Sequence, residues 1–444
     1  MRLFTTKLLF NIIVFIIIAS SSANSQTFVY TFSGTGTAGL MNGAQGSAQF
    51  NNPFGICRGE NGVIYIADTE NHCIRKIEAG VVSTYAGSTV AGWIDGSLLS
   101  ARFNEPMCIC IDSAGNLYVS DFQGQRIRKI STTGIVSTVA GNGIEGYRDG
   151  ADSLAQFDYP RGITIDSDGN LYVADSWNHR IRKIDAITNE VSTYAGGGAI
   201  TGVGTTGGYV DDGDTSARFY TPCGITIDTT GVLYVADAFN HRIRMIDNQR
   251  QVTTIAGSGT SGGFSDGPAL SSFLNTPTDL FCASNGDLFI GDTYNNRVRR
   301  LSQNTLSTIA GNGTAGFING PSALSEFNYT RAISANVNAD SILVIDWNNH
   351  AIRLITTPTT AITEAEESLI QIFPNPFNEK INIRVSERII NAKIILSDIL
   401  GNAILEQNKI CEWNCLLETE HLSPGVYFLS IESSEFKINR KVIK

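Results

Sequence analysis

The sequence predicts an all-β protein, a six-bladed β-propeller closed by an N-terminal strand and followed by a small β-sandwich. Three observations predict it. The stretch NHRIRKI (178–184) returns as NHCIRKI (71–77), GQRIRKI (124–130), NHRIRMI (240–246), NNRVRRL (295–301) and NHAIRLI (349–355). Each copy follows an aspartate (Asp68, Asp121, Asp175, Asp237, Asp292, Asp346), at intervals of about 55 residues. Each interval holds four short runs of strand type, as a propeller blade requires.

One unit shows the pattern. GITID (162–166) and LYVAD (171–175) flank DSDG (166–169), where glycine supplies the positive φ of a tight turn. RIRKI (180–184) and VSTYA (191–195) complete the four strands. The sixth unit ends after AIRLI without a fourth strand. The chain begins, after its leader, with TFVYTFSG, which matches the fourth strand of the other units. That strand is expected to close the ring and leave no open edge. The phenylalanines Phe50, Phe103, Phe157, Phe219, Phe273 and Phe327 precede the first strands and are expected to fill the space between blades.

The repeated stretch resembles the NHL repeat family over about residues 27–357, departing from it at Gly124-Gln125 and at Asn296, where the Asn-His pair or the His is missing. A residue present in every blade reads as scaffold, since a site on a six-fold ring breaks the symmetry. Each repeated Asp is therefore expected to meet one of the repeated arginines, in its own or the next blade, fixing register. Some lyases similar to this family hold a central metal. His72, His179, His241 and His350 are therefore candidate zinc ligands, but their setting is that of hairpin turns rather than of ligand spacing, and they read as turn caps. No cofactor is expected.

Function is expected on the loop-rich end of the ring, where the strand two-to-three and four-to-one loops emerge together. After the repeated Asp stand Phe122, Trp177, Phe239, Tyr294 and Trp347, a set suited to stacking against a glycan or peptide. The positions at the pore mouth are Phe54, Met107, Arg161, Cys223, Thr278 and Arg331. Arg161 and Arg331 lie in opposite blades and suit a carboxylate or phosphate. Calcium-dependent lactonase-like propellers need converging carboxylates or amides here, and this set has none. No Gly-x-Ser-x-Gly or paired acid–base spacing appears, so no specific reaction is read. The expected function is a binding module for a glycan, peptide or protein. The alternatives are an extracellular lyase or hydrolase at the pore and a structural surface-layer component.

The ends of the chain speak to location. MRLFTTK, the apolar run 8–18 and a small-residue cleavage pattern at Ala23 and Ser25 read as a signal peptide over 1–25, with no membrane-spanning segment after it. The propeller is assigned to 26–357 and a polar linker to 358–368. Residues 369–444 resemble the C-terminal sorting domain of type IX secretion known from Bacteroidota. The resemblance rests on Pro374, Asn375 and Pro376, on Asp398 and Gly401, and on Gly425 and Tyr427. It implies the type IX machinery as a partner and a secreted or surface-attached protein. The net charge of −10 and the lack of any Lys/Arg run argue against nucleic acid. Six of the eight cysteines fall in expected strands and read as small buried hydrophobes, while Cys411 and Cys415 are spaced to close a local loop.

Overall fold

A computed structural model describes residues 27–59, 62–197, 207–259, 261–336, 338–356 and most of 370–444. The expected signal peptide and linker lie outside the described residues, as do Pro374, Asn375, Pro376 and Gly401 of the sorting motif.

Six antiparallel sheets occupy residues 28–356, each with its strands in the order one to four from the axis outward. Blade three is typical, with strands Pro160–Ile165, Leu171–Asp175, Arg180–Ile184 and Val191–Ala195. Its hairpin forms because Asp166 Oδ1 accepts the N–H groups of Asp168 and Asn170, and Gly169 takes φ +87°. The first strands of neighbouring blades pack together in sequence, and that of blade six packs against that of blade one, so the ring is closed. The approach is tight. A Cβ added to Gly162 would collide with the carbonyl oxygen of Cys223 in the next blade.

Blade six joins the two ends of the repeat array. Its strands are Thr330–Ala335, Ser341–Asp346 and Ala351–Thr356, and the fourth is Phe28–Ser33, paired from Phe28↔Thr356 to Ser33↔Ile352. Val29 and Phe32 of that strand are buried in two different core clusters. The expected closure is thus what the fold uses.

Phe50, Phe103, Phe157, Phe219 and Phe327 are fully buried between blades. Phe273 is not their equivalent, being 38% exposed, while Leu274 beside it is buried. The blade-five loop is one residue out of phase at this point. Asn275 follows Leu274 as Asn51 follows Phe50, and both backbone N–H groups reach the repeated Asp.

Residues 370–443 form a three-stranded and a four-stranded sheet. Ile381, Ile383 and Leu417 of one pack with Ile394, Leu396, Leu429 and Ile431 of the other in a single core, making a sandwich. Tyr427 is buried and its hydroxyl donates to Ser423 O at 2.6 Å. Gly425 and Lys444 exchange backbone hydrogen bonds, and Asp398 follows the strand Ile389–Ser397. Cys415 is disulfide-bonded, and the six cysteines of the propeller, Cys57, Cys73, Cys108, Cys110, Cys223 and Cys282, are free. No helix among the described residues is long and apolar enough to cross a membrane.

Candidate functional site

The repeated Asp and Arg form an ion pair within each blade. Arg182 Nη1 donates to Asp175 Oδ2 at 2.6 Å, and the same pair recurs in all six blades. Each Asp also accepts a backbone N–H from the segment leading to strand one, as from Asp158 at 2.7 Å. Each Arg reaches out to the four-to-one loop, where Asp95, Asp149, Asp211 and Asp266, or Asn42 and Asn319, receive it. Burial pushes the carboxyls of Asp68, Asp121 and Asp346 up to about 6, against the pull of the guanidinium and the donated N–H groups. The loop aromatics Tyr147, Tyr209, Phe264 and Phe317 lie over these arginines, folding the loop onto its blade.

The four histidines do not converge on a common point, and no group of three or more metal-ligating side chains exists among the described residues. Each stands in the left-handed conformation that ends the two-to-three turn, and its Nδ1 accepts a backbone N–H from the next blade. The donors are Glu105 for His72, Thr221 for His179, Thr276 for His241 and Asn52 for His350, at 3.0–3.2 Å. Where His is missing, Gln125 Oε1 accepts from Tyr159 and Asn296 Oδ1 from Tyr329. All six donors also have positive φ. The motif is a clasp across each blade junction, and the turn-cap reading caught only its local half.

The clasp requires a neutral imidazole. Burial, with Arg180 alongside, pushes His179 down to about 4; burial also lowers His241 and His350. The unfolded chain protonates near 6.5. The stabilisation from His179 is therefore complete above pH 6.5 and lost as pH falls towards 4. It is worth on the order of 2 kcal/mol after allowance for the solvent-facing part of the ring. His179→Gln, which copies Gln125, should match the parent at pH 7.5 and lose less stability on acidification in urea melts. Equal acid sensitivity in both proteins would remove the clasp from the account.

The aromatic set splits in two. Trp177, Phe239 and Tyr294, two residues after the Asp, are 52%, 46% and 51% exposed. Phe122 and Trp347, one residue after it, turn inward: Phe122 is buried and Trp347 half-buried. The five therefore do not form one exposed ring. Two of them instead meet the pore arginines. Arg161 lies over Phe122 at 5.3 Å, and Arg331 lies between Trp347 at 4.6 Å and Phe54 at 5.1 Å.

Tyrosines that the sequence reading passed over extend these contacts into arcs. Tyr159 touches Phe122 and Trp177, with ring centroids 4.8 Å away in each case. Tyr329 touches Tyr294 at 5.2 Å and Trp347 at 6.1 Å. One arc spans blades two and three and the other blades five and six, opposite each other across the pore. Tyr220 of blade four forms a separate contact with Phe239 of its own blade and His179 of blade three. The signal was present in the sequence: Tyr159 and Tyr329 occupy the clasp-donor position, filled elsewhere by Asn52, Glu105, Thr221 and Thr276.

The two arginines have no carboxylate partner among the described residues. Arg161 Nη1 donates to Cys223 Sγ at 3.0 Å, and the Arg331 guanidinium has no hydrogen-bond acceptor among the described residues. The Nε atoms of both are buried without a partner. Burial lowers Arg331 to about 10, with Arg161 contributing in the same sense.

Comparison with known proteins agrees with this architecture. The NHL repeat family matches residues 50–77 and 157–184, and the secretion system C-terminal sorting domain matches 371–444. SUPPRESSOR OF QUENCHING 1 of Arabidopsis thaliana is 30% identical over 282 residues, which are 61% of this chain and 27% of that protein. NHL repeat-containing protein 2 of Gallus gallus is 30% identical over 299 residues, 60% of this chain and 41% of that protein. The chain thus spans less than half the length of these relatives. An auxiliary nutrient binding protein from Bacteroides thetaiotaomicron shares the fold, with a TM-score of 0.57 and 16% identity over 74% of this chain and 76% of its own. A protein of the same description from Bacteroides ovatus has a TM-score of 0.56 at 15% identity over 75% and 77% of the respective chains. The chain carries NHL repeats and a secretion system C-terminal sorting domain of the type IX pathway, which places it at the cell surface or in the medium beyond it.

Proposed function

We propose that the propeller is a binding module, exported by the type IX pathway, that seats a glycan, peptide or protein on its loop-rich face above the pore. One observation carries this reading. The repeat departs from itself at the same two opposite junctions in three respects. Gln125 and Asn296 replace the clasp histidine there, Tyr159 and Tyr329 occupy the donor position, and Arg161 and Arg331 stand in the pore mouth. Scaffold demands are alike at all six junctions, so a shared two-fold departure answers to something other than scaffold.

Trp177→Ala and Tyr294→Ala test it. Both side chains are about half exposed and each packs on one tyrosine, so stability should fall by only about 1–2 kcal/mol. On a combined glycan and peptide array the parent protein should select ligands, and each variant should bind them about 2- to 12-fold more weakly, as a stacked ring implies. Array ligands held equally by both variants would move the site off this face.

A further inference from the structure

We propose that the ligand of this face is a short saccharide carrying one oxyanion, a carboxylate or a sulfate, held between Arg161 and Arg331 with its neutral rings on the flanking aromatics. The inference rests on the reading of the face as a binding site and adds the chemistry of what it binds.

The contrast among the arginines carries it. The six scaffold arginines of strand three each donate to at least one carboxylate at 2.6–2.9 Å. The Arg161 and Arg331 side chains donate to none, and among the described residues the only hydrogen-bonding partner of either guanidinium is the Cys223 thiol at 3.0 Å. Both pack against ring faces, Arg161 on Phe122 and Arg331 between Phe54 and Trp347. Two like charges brought together without a counter-ion oppose each other, and an oxyanion between them removes that cost and fits the planar fork of each guanidinium. Carboxylate and sulfate share this geometry.

The surroundings choose the rest of the ligand. Trp177 and Tyr294 are half exposed, and flat aromatic rings open to solvent suit the amphipathic faces of sugar rings. An extended peptide adding to a strand needs a slot of strand width. The inner strands leave none, since even one added Cβ on Gly162 would strike the neighbouring backbone. The chain carries a net charge of −10, so the two arginines form a positive spot within an acidic whole. Such a spot favours a singly charged ligand over a polyanion, which the remainder repels.

The test is calorimetric titration of the purified chain with lactose, 3′-sulfolactose and 3′-sialyllactose, followed by a panel of other short neutral saccharides with their uronate and sulfate forms. N-acetylated trialanine and inorganic sulfate are the remaining probes. At least one acidic saccharide should bind tenfold or more tighter than its neutral parent. That advantage should vanish in Arg161→Gln and Arg331→Gln and shrink with added salt. Arg331→Lys should recover only part of it, because the charge returns without the fork. If Arg331→Gln melts early, Arg161→Gln, whose side chain gives up one ring face and the thiol contact against the two ring faces of Arg331, decides alone. Neutral parents bound as tightly as their acids, or acetylated trialanine bound tighter than every saccharide, would overturn the anion clamp or the saccharide while leaving the face as the site. Failure of every acidic saccharide to bind would overturn the inference, and array ligands sensitive to Trp177→Ala would then show that the face itself stands.

Discussion

A chain lacking residues 26–34 should lose several kcal/mol of stability and should aggregate. The segment supplies the fourth strand of blade six, paired along Ala351–Thr356 on one side and with Gly320 and Pro321 on the other. Val29 and Phe32 are its buried anchors. Removing each from the core costs about 1.5–3 kcal/mol in transfer free energy alone. The strand Ala351–Thr356 would also become an exposed edge carrying Ile352, Leu354 and Ile355, a template for intermolecular pairing. Urea midpoints and light scattering measure the two effects. An unchanged midpoint would mean that the ring closes by another route.

Arg182→Met is the second severe change. It removes the cation from Asp175 while leaving the carboxylate fully buried, and breaking a buried pair from one side costs about 3–5 kcal/mol. Adding Asp175→Asn should recover part of the loss. The amide oxygen still accepts the Asp158 N–H, no uncompensated buried charge remains, and Asp149, which also loses the guanidinium, is solvated. The double variant should therefore have a higher urea midpoint than Arg182→Met alone. A single variant within about 1 kcal/mol of the parent would mean that solvent reaches Asp175 and that the pair is not the internal brace described here.

The fold was legible because its signals are local and repeated. The Asp-to-Arg spacing of seven residues is constant, the turns carry their Asp and Gly, and TFVYTFS stands out as an orphan fourth strand. Phe273 was misread because the alignment followed residue type rather than phase, and Leu274 fills the site with a different shape. The histidine clasp was half legible. The αL turn end follows from the motif, but its acceptor role depends on a backbone N–H some 33–42 residues away for three of the histidines, and across the chain ends for His350. The candidate site was legible as a set of residues and illegible as an arrangement. Two loop positions one residue apart face opposite ways, so Phe122 and Trp347 go inward while Trp177 and Tyr294 go outward. Only the folded ring puts Tyr159 between Phe122 and Trp177.

The placement of the last propeller strand has a mechanical consequence. Ala351–Thr356 starts at the loop-rich face, after the turn that holds Trp347, and ends at Thr356 on the opposite face. The chain thus leaves the ring on the side away from the arginines, and a propeller tethered through its C-terminal region has its mouth free to point outward. A pull between a captured ligand and that tether would run along Ala351–Thr356 lengthwise. That strand is flanked on one side by Ser341–Asp346 and on the other by Phe28–Ser33. Its hydrogen bonds lie across the direction of pull and would share the load together instead of opening one at a time. The N-terminal strand that completes the sheet would then also serve as half of a shear clamp, and tension on the tether would fall on the most heavily paired strand of the blade.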